Sequence, residues 1–591
     1  MTGWPRTARL LAGIGWEIGP IVCILYIGIN ALGFVAPMLL ALGLRPLVDG
    51  VVFDRSGQVA VGSLVIAAAL ALSVLLPAGY RWTTIRMRER SIMVMQRRLL
   101  TLATAAPGLE HFERPEFWDR LQLLKRGTYD LVMGMTLAIM GPIVVVQLAV
   151  TAGLLAGLQP VLILLPIVAV PSAWLSQRAE ALRRAAELRT AEDRRTAQHL
   201  FSLASAAVPG KEIRLYGLRR ELLDRHRRAS LAVHRGIETA LFRSVAVTAG
   251  SWLLFAVAYV GAVVLVLRQA AAGRATPGDV ALTLALAAAM VAAAGRLTEL
   301  ASSALRAGTT AEHYHWLADQ ASAVREGERL PPPARLAHGI ELDRVTFRYA
   351  GGDSPALSDV SLRLPAGAVV AVVGENGAGK TTLVKLLCGM YAPTSGRVLV
   401  DGVDLAAVDL EAWRRLLAAG FQDFMRFELM TRESVGVGDL PRMDDADAVQ
   451  AALAAANAGF AERLPDGLQT QLGAGWRSGV DLSGGEWQKL ALARSLLRPA
   501  PVLMILDEPT ASLDPQTEHA LFEQVAAGSR RGRADGRITL LISHRFSTVR
   551  AADLIVVLDR GRVAEQGTHA ELVARAGLYA ELYELQARAY R

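Results

Sequence analysis

The chain reads as a multidomain membrane protein: a six-helix α transmembrane domain with long cytoplasmic helical extensions, followed by an α/β P-loop domain with a helical subdomain. Three observations predict this. The N-terminal half holds six apolar stretches, each close to the roughly 20 residues that cross a bilayer as helix. The C-terminal half holds the apolar run Val369-Val370-Ala371-Val372-Val373, then Gly374-Glu375-Asn376-Gly377-Ala378-Gly379-Lys380-Thr381-Thr382, then an amphipathic stretch starting at Leu383. Strand, glycine-rich loop and helix in that order form a phosphate-binding loop. Finally, the net charge of +8 is divided unevenly, with about +13 on residues 1–337 and about −5 on residues 338–591.

Length and composition set the frame. A chain of 591 residues holds more than one domain. A hydrophobic fraction of 52% and a mean hydropathy of +0.32 are high for a soluble protein. The basic half does not point to nucleic acid, because its Arg residues cluster between long apolar segments, as they do beside membranes. Cys23 and Cys388 lie far apart in contrasting surroundings, so neither a disulfide framework nor a cysteine metal site follows. Both read as small buried hydrophobes. The first apolar run is longer than a signal h-region and lacks a small-residue cleavage site, so it is expected to be retained as a span.

The expected spans are 18–44, 59–80, 131–155, 160–175, 241–267 and 280–300. Pro160, Pro166 and Pro171 interrupt the fourth, which a membrane helix tolerates when neighbours satisfy the freed carbonyls. Short connections alternate with two long ones, 81–130 and 176–240, which together carry roughly two dozen Lys and Arg. That excess places the long connections in the cytoplasm, and six spans then put both chain ends there too. Residues 81–103 and 177–203 lack Gly and Pro and are rich in helix formers, so the spans should continue as rods. Breaks are expected at Pro107-Gly108 and Pro209-Gly210. The segments after them, 109–121 and 211–218, carry apolar teeth between charges and suit docking onto another domain.

Polar groups within the spans are few: Asn30, Gln147, Thr151, Thr248 and Thr283, with Arg296 and Glu299 near the cytoplasmic end of the sixth. Burial of such groups in lipid is costly, so each is a functional candidate. Arg296 and Glu299 are three apart and are positioned to pair on one helix face.

The sequence turns polar over 321–337 and includes Pro331-Pro332-Pro333, a stiff linker between a domain at 1–320 and one at 338–591. A helical subdomain is expected over about 431–499. Within the second domain, Lys380 can reach the β- and γ-phosphates and the Thr381 hydroxyl can ligate Mg²⁺. Asp507, at the end of the apolar run 502–506, fits the Mg²⁺ shell, and Glu508 fits general-base work on the γ-phosphate. Gln422 follows a strand-like run and can reach Mg²⁺ or the attacking water. His544 follows the run 538–542 and falls at the same sheet edge. Tyr349, after a strand, is placed to stack on an adenine. Ser483-Gly484-Gly485-Glu486 opens a helix and makes a second anion-binding N-terminus. Two phosphate-gripping devices for one nucleotide imply a second copy of the chain.

Together these residues resemble the ATP-binding cassette transporters of the exporter type, over nearly the whole chain. Tyr349 is similar to the family's A-loop aromatic, Gly374–Thr382 to its Walker A and Gln422 to its Q-loop. Ser483–Glu486 resembles the signature, Leu506-Asp507-Glu508 the Walker B with catalytic glutamate, residues 511–514 the D-loop and His544 the switch histidine. Residues 109–121 and 211–218 stand at its coupling-helix positions. One departure is Gly475-Trp476-Arg477-Ser478-Gly479-Val480, which lacks the acid of the family's usual Gly-Glu-Arg-Gly sequence. The resemblance implies an ATPase with ATP and Mg²⁺ as its ligands, acting as a half-transporter in the cell membrane. A homodimer is favoured over pairing with a paralogue. It further implies ATP-driven export of an apolar or amphipathic substrate, such as a lipid, a drug-like molecule or a peptide, by alternating access. Import through the same scaffold and an ATP-gated channel are the competing readings.

Overall fold

The computed structural model describes residues 4–105, 108–164, 175, 178–179, 181–183, 185–323, 329–508, 533–543 and 549–589. Two compact units result, Met1–Ala103 with Asp119–Asp319, and Thr104–Trp118 with Gln320–Arg591.

The first unit is helical. Among the described residues, five helices are long and apolar enough to cross a membrane: Pro20–Val52, Ser56–Ala105, Met140–Leu158, Arg219–Ala271 and Pro277–Ala321. At about 1.5 Å per residue, the 50 residues of Ser56–Ala105 and the 53 of Arg219–Ala271 far outrun a hydrocarbon core of about 30 Å. Span and rod are one helix. Of the fourth expected span, Pro160–Leu164 forms a 3₁₀ turn, and residues 165–174 lie outside the described residues. Leu64, Val74 and Leu75 are each more than 70% exposed, as side chains facing lipid should be. Pro37, Pro46, Pro77 and Pro142 all sit inside helices. Where the helices meet, Ala41, Leu155, Ala262, Leu286 and Met290 form a buried core.

Three expectations change here. The second long connection breaks at Ala206, whose backbone is extended (φ −93°, ψ 144°), and not at Pro209-Gly210. Pro209 and Gly210 lie in the first turn of helix Ala207–Leu215, where a missing N–H costs no hydrogen bond. Arg296 donates to Gln147 Oε1 (2.9 Å) and its guanidinium stands over the Phe34 ring (4.9 Å), in place of a pair with Glu299. Cys388 is buried, but Cys23 is only partly so. The other polar span residues satisfy themselves: Asn30, Thr151, Thr248 and Thr283 each donate to the carbonyl four residues earlier, at 2.7–2.8 Å.

The second unit is α/β. Strands β1 (Gly339–Phe347), β2 (Leu357–Pro365), β4 (Ser395–Val400) and β5 (Val403–Asp404) form an antiparallel sheet in the order β2-β1-β4-β5. The other sheet runs β10-β9-β3-β8-β7-β6, with β3 at Val369–Val373, β6 at Leu417–Gly420, β7 at Leu503–Asp507 and β8 at Ile538–Ile542. Strand β9 is Leu554–Asp559 and β10, its antiparallel edge partner, is Arg562–Gly567. Every residue of β3 is buried, and its alternate side chains enter two different cores: Val370 and Val372 one, Val369, Ala371 and Val373 the other. A parallel strand covered on both faces reads as an unbroken apolar run, as this one does. Helices Thr431–Gly436, Ala446–Ala455 and Gly484–Leu496 occupy the stretch between β6 and β7.

Candidate nucleotide site

Strands β3, β6, β7 and β8 are parallel, and their registers align Val372 with Ile542, Asp507 with Ile542 and Gly420 with Leu506. Their carboxyl ends therefore share one edge, where ligands bind in open parallel sheets. The loops leaving that edge carry Gly374, Gln422, Asp507, Glu508 and Ser543. His544 and the segment 511–514 lie outside the described residues.

Backbone geometry explains two loop glycines. Gly374 has φ +153°, and an added Cβ would stand 2.2 Å from the Leu558 carbonyl oxygen. Gly379 has φ +102° and would meet the Ala356 carbonyl oxygen at 2.7 Å. Helix Lys380–Leu387 starts immediately after, so its unpaired N–H groups face the loop. Lys380 is buried, and its ammonium donates to the carbonyls of Gly374 (2.8 Å) and Glu375 (2.9 Å). Burial lowers its pKa, against the opposing pull of Glu508 and Asp507. Glu375, Asn376 and Gly377 are exposed, while Ala378 is buried.

Two side-chain bonds tie the strands together across this edge. Thr381 Oγ1 donates to Asp507 Oδ2 (3.1 Å), and Gln422 Nε2 donates to Glu508 Oε2 (2.9 Å). Asp507 is 1% exposed, and burial pushes its carboxyl up to about 6. Its bond to Thr381 and the charge of Lys380 work against that rise, while Glu508 and Asp423 add to it. Glu508 has φ +47°, an unusual backbone for a non-glycine, and its N–H donates to the Ile542 carbonyl (3.0 Å). The hydroxyl, carboxylate and amide of Thr381, Asp507 and Gln422 are hard oxygen donors of the kind Mg²⁺ takes. A divalent cation would offset the crowding of acid at Asp507.

Tyr349 is half-buried just beyond β1. Its hydroxyl hydrogen-bonds with Thr382 Oγ1 (3.1 Å), and its ring packs edge-on against Phe347 (4.9 Å) and Tyr391 (5.5 Å). Ser483 caps helix Gly484–Leu496, accepting from the Glu486 N–H (3.3 Å) while Glu486 Oε2 accepts from the Ser483 N–H and Oγ (2.8 Å each). Ser483 and Gly484 are exposed, and Gly485 and Glu486 are half-buried. The described bonds of Ser483 and Glu486 stay inside that first turn. The edge thus brings Lys380, Thr381, Asp507, Glu508 and Gln422 together, whereas the signature residues satisfy one another on their own helix.

One contributor escapes any motif. Arg494 donates to the carbonyls of Ser434 (2.9 Å) and Met425 (3.2 Å) and stands over the Phe427 ring (4.5 Å). It holds the segment that follows Gln422. Burial brings its pKa down to about 10. Among the sequence signals, only its place on the helix opened by Ser483 hinted at it.

Comparisons with known proteins place this architecture. Residues 357–511 match the ABC transporter family. The chain is 42% identical over 332 residues to the ATP-dependent lipid A-core flippase of Bordetella avium, covering 56% of this chain and 54% of that one. It is 36% identical over 401 residues to the protein of that name in Xanthomonas campestris pv. campestris, covering 66% and 64%. With the Xylella fastidiosa protein of that name it shares 34% over 424 residues, covering 71% and 69%. The first two matches thus span from just over half to under two thirds of those relatives' length. A bacterial Atm1-family ABC exporter solved with ATP bound superposes with a TM-score of 0.79 at 24% identity, over 96% of this chain and 98% of that one, and shows the fold. Long apolar helices and a P-loop domain in one polypeptide make this a multi-pass membrane protein, and the chain belongs to the ABC transporter family, with the fold of its exporter type.

Proposed function

We propose that two copies of this chain form an ATP-driven exporter of a lipid-like amphipathic substrate. The observation that carries the reading is the acidic pair Asp507-Glu508 set beside Lys380 and Thr381, with Gln422 bonded to Glu508. In this reading ATP lies between the Walker A of one copy and Ser483–Glu486 of the other. The exposed N-terminus of helix Gly484–Leu496, with no described bond to the P-loop of its own chain, supports that division. Lys380 and the loop N–H groups hold the phosphates, and Tyr349 takes the adenine. Glu508 orients and deprotonates the attacking water, with Gln422 holding its carboxylate and His544 acting at the γ-phosphate. Thr381, Asp507 and Gln422 would hold Mg²⁺, which supplies charge neutralisation to the phosphates when bound.

Closure of the paired nucleotide domains is passed through the rods to the spans, and hydrolysis resets them. The domains divide at residues 320 and 338, and both termini face the cytoplasm, as the Arg-rich rods require. The lipid-like substrate is supported by the relatives, which are named lipid A-core flippases, and by spans whose threonines bond their own backbone. Two copies of this one chain suffice, because both halves of each site are intact in it.

Reconstitution tests the reading. Purified protein in proteoliposomes with a fluorescent-tailed phospholipid should move the probe between leaflets only with Mg²⁺ and ATP, and Glu508→Gln should stop it. Equal probe movement with and without ATP would refute export and favour a passive path.

A further inference from the structure

We propose that Tyr391 is a positioning residue: its hydrogen bond to Glu113 lets the segment Glu110–Glu113 register whether a base is stacked on Tyr349. The inference rests on the nucleotide reading above and goes beyond it, because it separates recognition of the base from recognition of the phosphates.

The contacts form one chain within the second unit. The Leu109 N–H donates to the Met390 carbonyl (2.9 Å), and the Tyr391 hydroxyl donates to the Glu113 carboxylate. Gly108 lies so close that an added Cβ would stand 3.1 Å from the Met390 oxygen. The Tyr391 ring meets Tyr349 at 5.5 Å and Phe347 at 5.2 Å, and Lys385 Nζ stands 5.7 Å from the first ring and 5.9 Å from the second. Tyr349 in turn is tied to Thr382 of the P-loop. Burial, reinforced by the bond to Glu113, raises the Tyr391 phenol well above the ordinary tyrosine range, so it stays protonated and keeps donating.

A base stacking on Tyr349 must adjust that ring against Tyr391, whose own hydroxyl is anchored on Glu113. A ligand made only of phosphates fills the glycine loop without touching either ring. In the chain, Glu113 lies on the connection between helices Ser56–Ala105 and Pro115–Leu158. A tyrosine that merely fills the core would need no acceptor on a separate 3₁₀ turn.

Hydrogen–deuterium exchange on the full chain in lipid nanodiscs, in a Glu508→Gln background that retains ATP, tests this with ATP and inorganic tripolyphosphate as probes. Both should slow exchange over residues 374–382. Only ATP should alter exchange over 108–118, by about threefold to tenfold, the range of one hydrogen bond. Tyr391→Phe keeps the ring and should reduce the ATP response over 108–118 to that of tripolyphosphate, with protection of 374–382 retained. Glu113→Gln keeps an acceptor oxygen and should preserve the response, whereas Glu113→Leu should lose it. Combining Tyr391→Phe with Glu113→Leu should add nothing further. A full ATP response over 108–118 in Tyr391→Phe overturns the proposal while leaving the nucleotide reading intact. Absence of ATP protection over 374–382 in the parent overturns both.

Discussion

At the residue scale, the environments of two side chains set definite expectations. Glu508 sits beside Gln422 at the sheet edge, outside the P-loop itself. Glu508→Gln should therefore leave ATP affinity within about twofold and reduce hydrolysis by roughly 10²- to 10⁴-fold, the span of a general base. Radiolabelled ATP binding and phosphate release on one preparation check both numbers. Cys388 is almost wholly buried, and burial pushes its thiol up to about 12 from an ordinary value of 9.0. Its folded pKa is raised, so the stability it contributes is present below pH 9 and is lost as pH rises from there through about 12. Mass spectrometry after maleimide treatment at pH 8 should find Cys388 unmodified until denaturant is added. Modification of the native protein would show that the core around Cys388 opens.

At the scale of elements, the P-loop and the segment after Gln422 depend on different neighbours. Gly379→Ala places a Cβ 2.7 Å from a backbone oxygen at a φ of +102°, strain of about 1–3 kcal/mol that the loop can relieve only by moving. Nucleotide binding should weaken by about 5- to 150-fold while far-ultraviolet circular dichroism is unchanged. Arg494→Met removes the bonds to Ser434 and Met425, and kcat should drop several-fold with ATP affinity retained. Steady-state kinetics beside a binding isotherm separate the two effects.

How far the sequence disclosed these elements follows from the range of the interactions behind them. The P-loop, the strand ending at Asp507 and the cap at Ser483 are local patterns, and their positions were legible residue by residue. The five long apolar helices among the described residues were legible from apolar length alone. The break at Ala206 was hidden because Pro209-Gly210 looks like a terminator, although a first helical turn accepts both. The spacing of Arg296 points to Glu299 on its own helix, whereas its partner is Gln147 on another. Arg494 and the Tyr391–Glu113 bond join residues far apart in the chain, and no spacing rule reaches that far.

For the whole molecule, the central claim is that each nucleotide site is shared between two copies of the chain. Asn376 in the P-loop and Gly484 in the signature are both exposed. Protein carrying Asn376→Cys, Gly484→Cys and Glu508→Gln, with Cys23 and Cys388 replaced by Ala, can be oxidised in nanodiscs with and without Mg²⁺ and ATP. A disulfide-linked species of twice the chain mass that forms only with ATP is the expected result. A cross-link confined to single chains, or none when ATP is bound, would contradict the shared site.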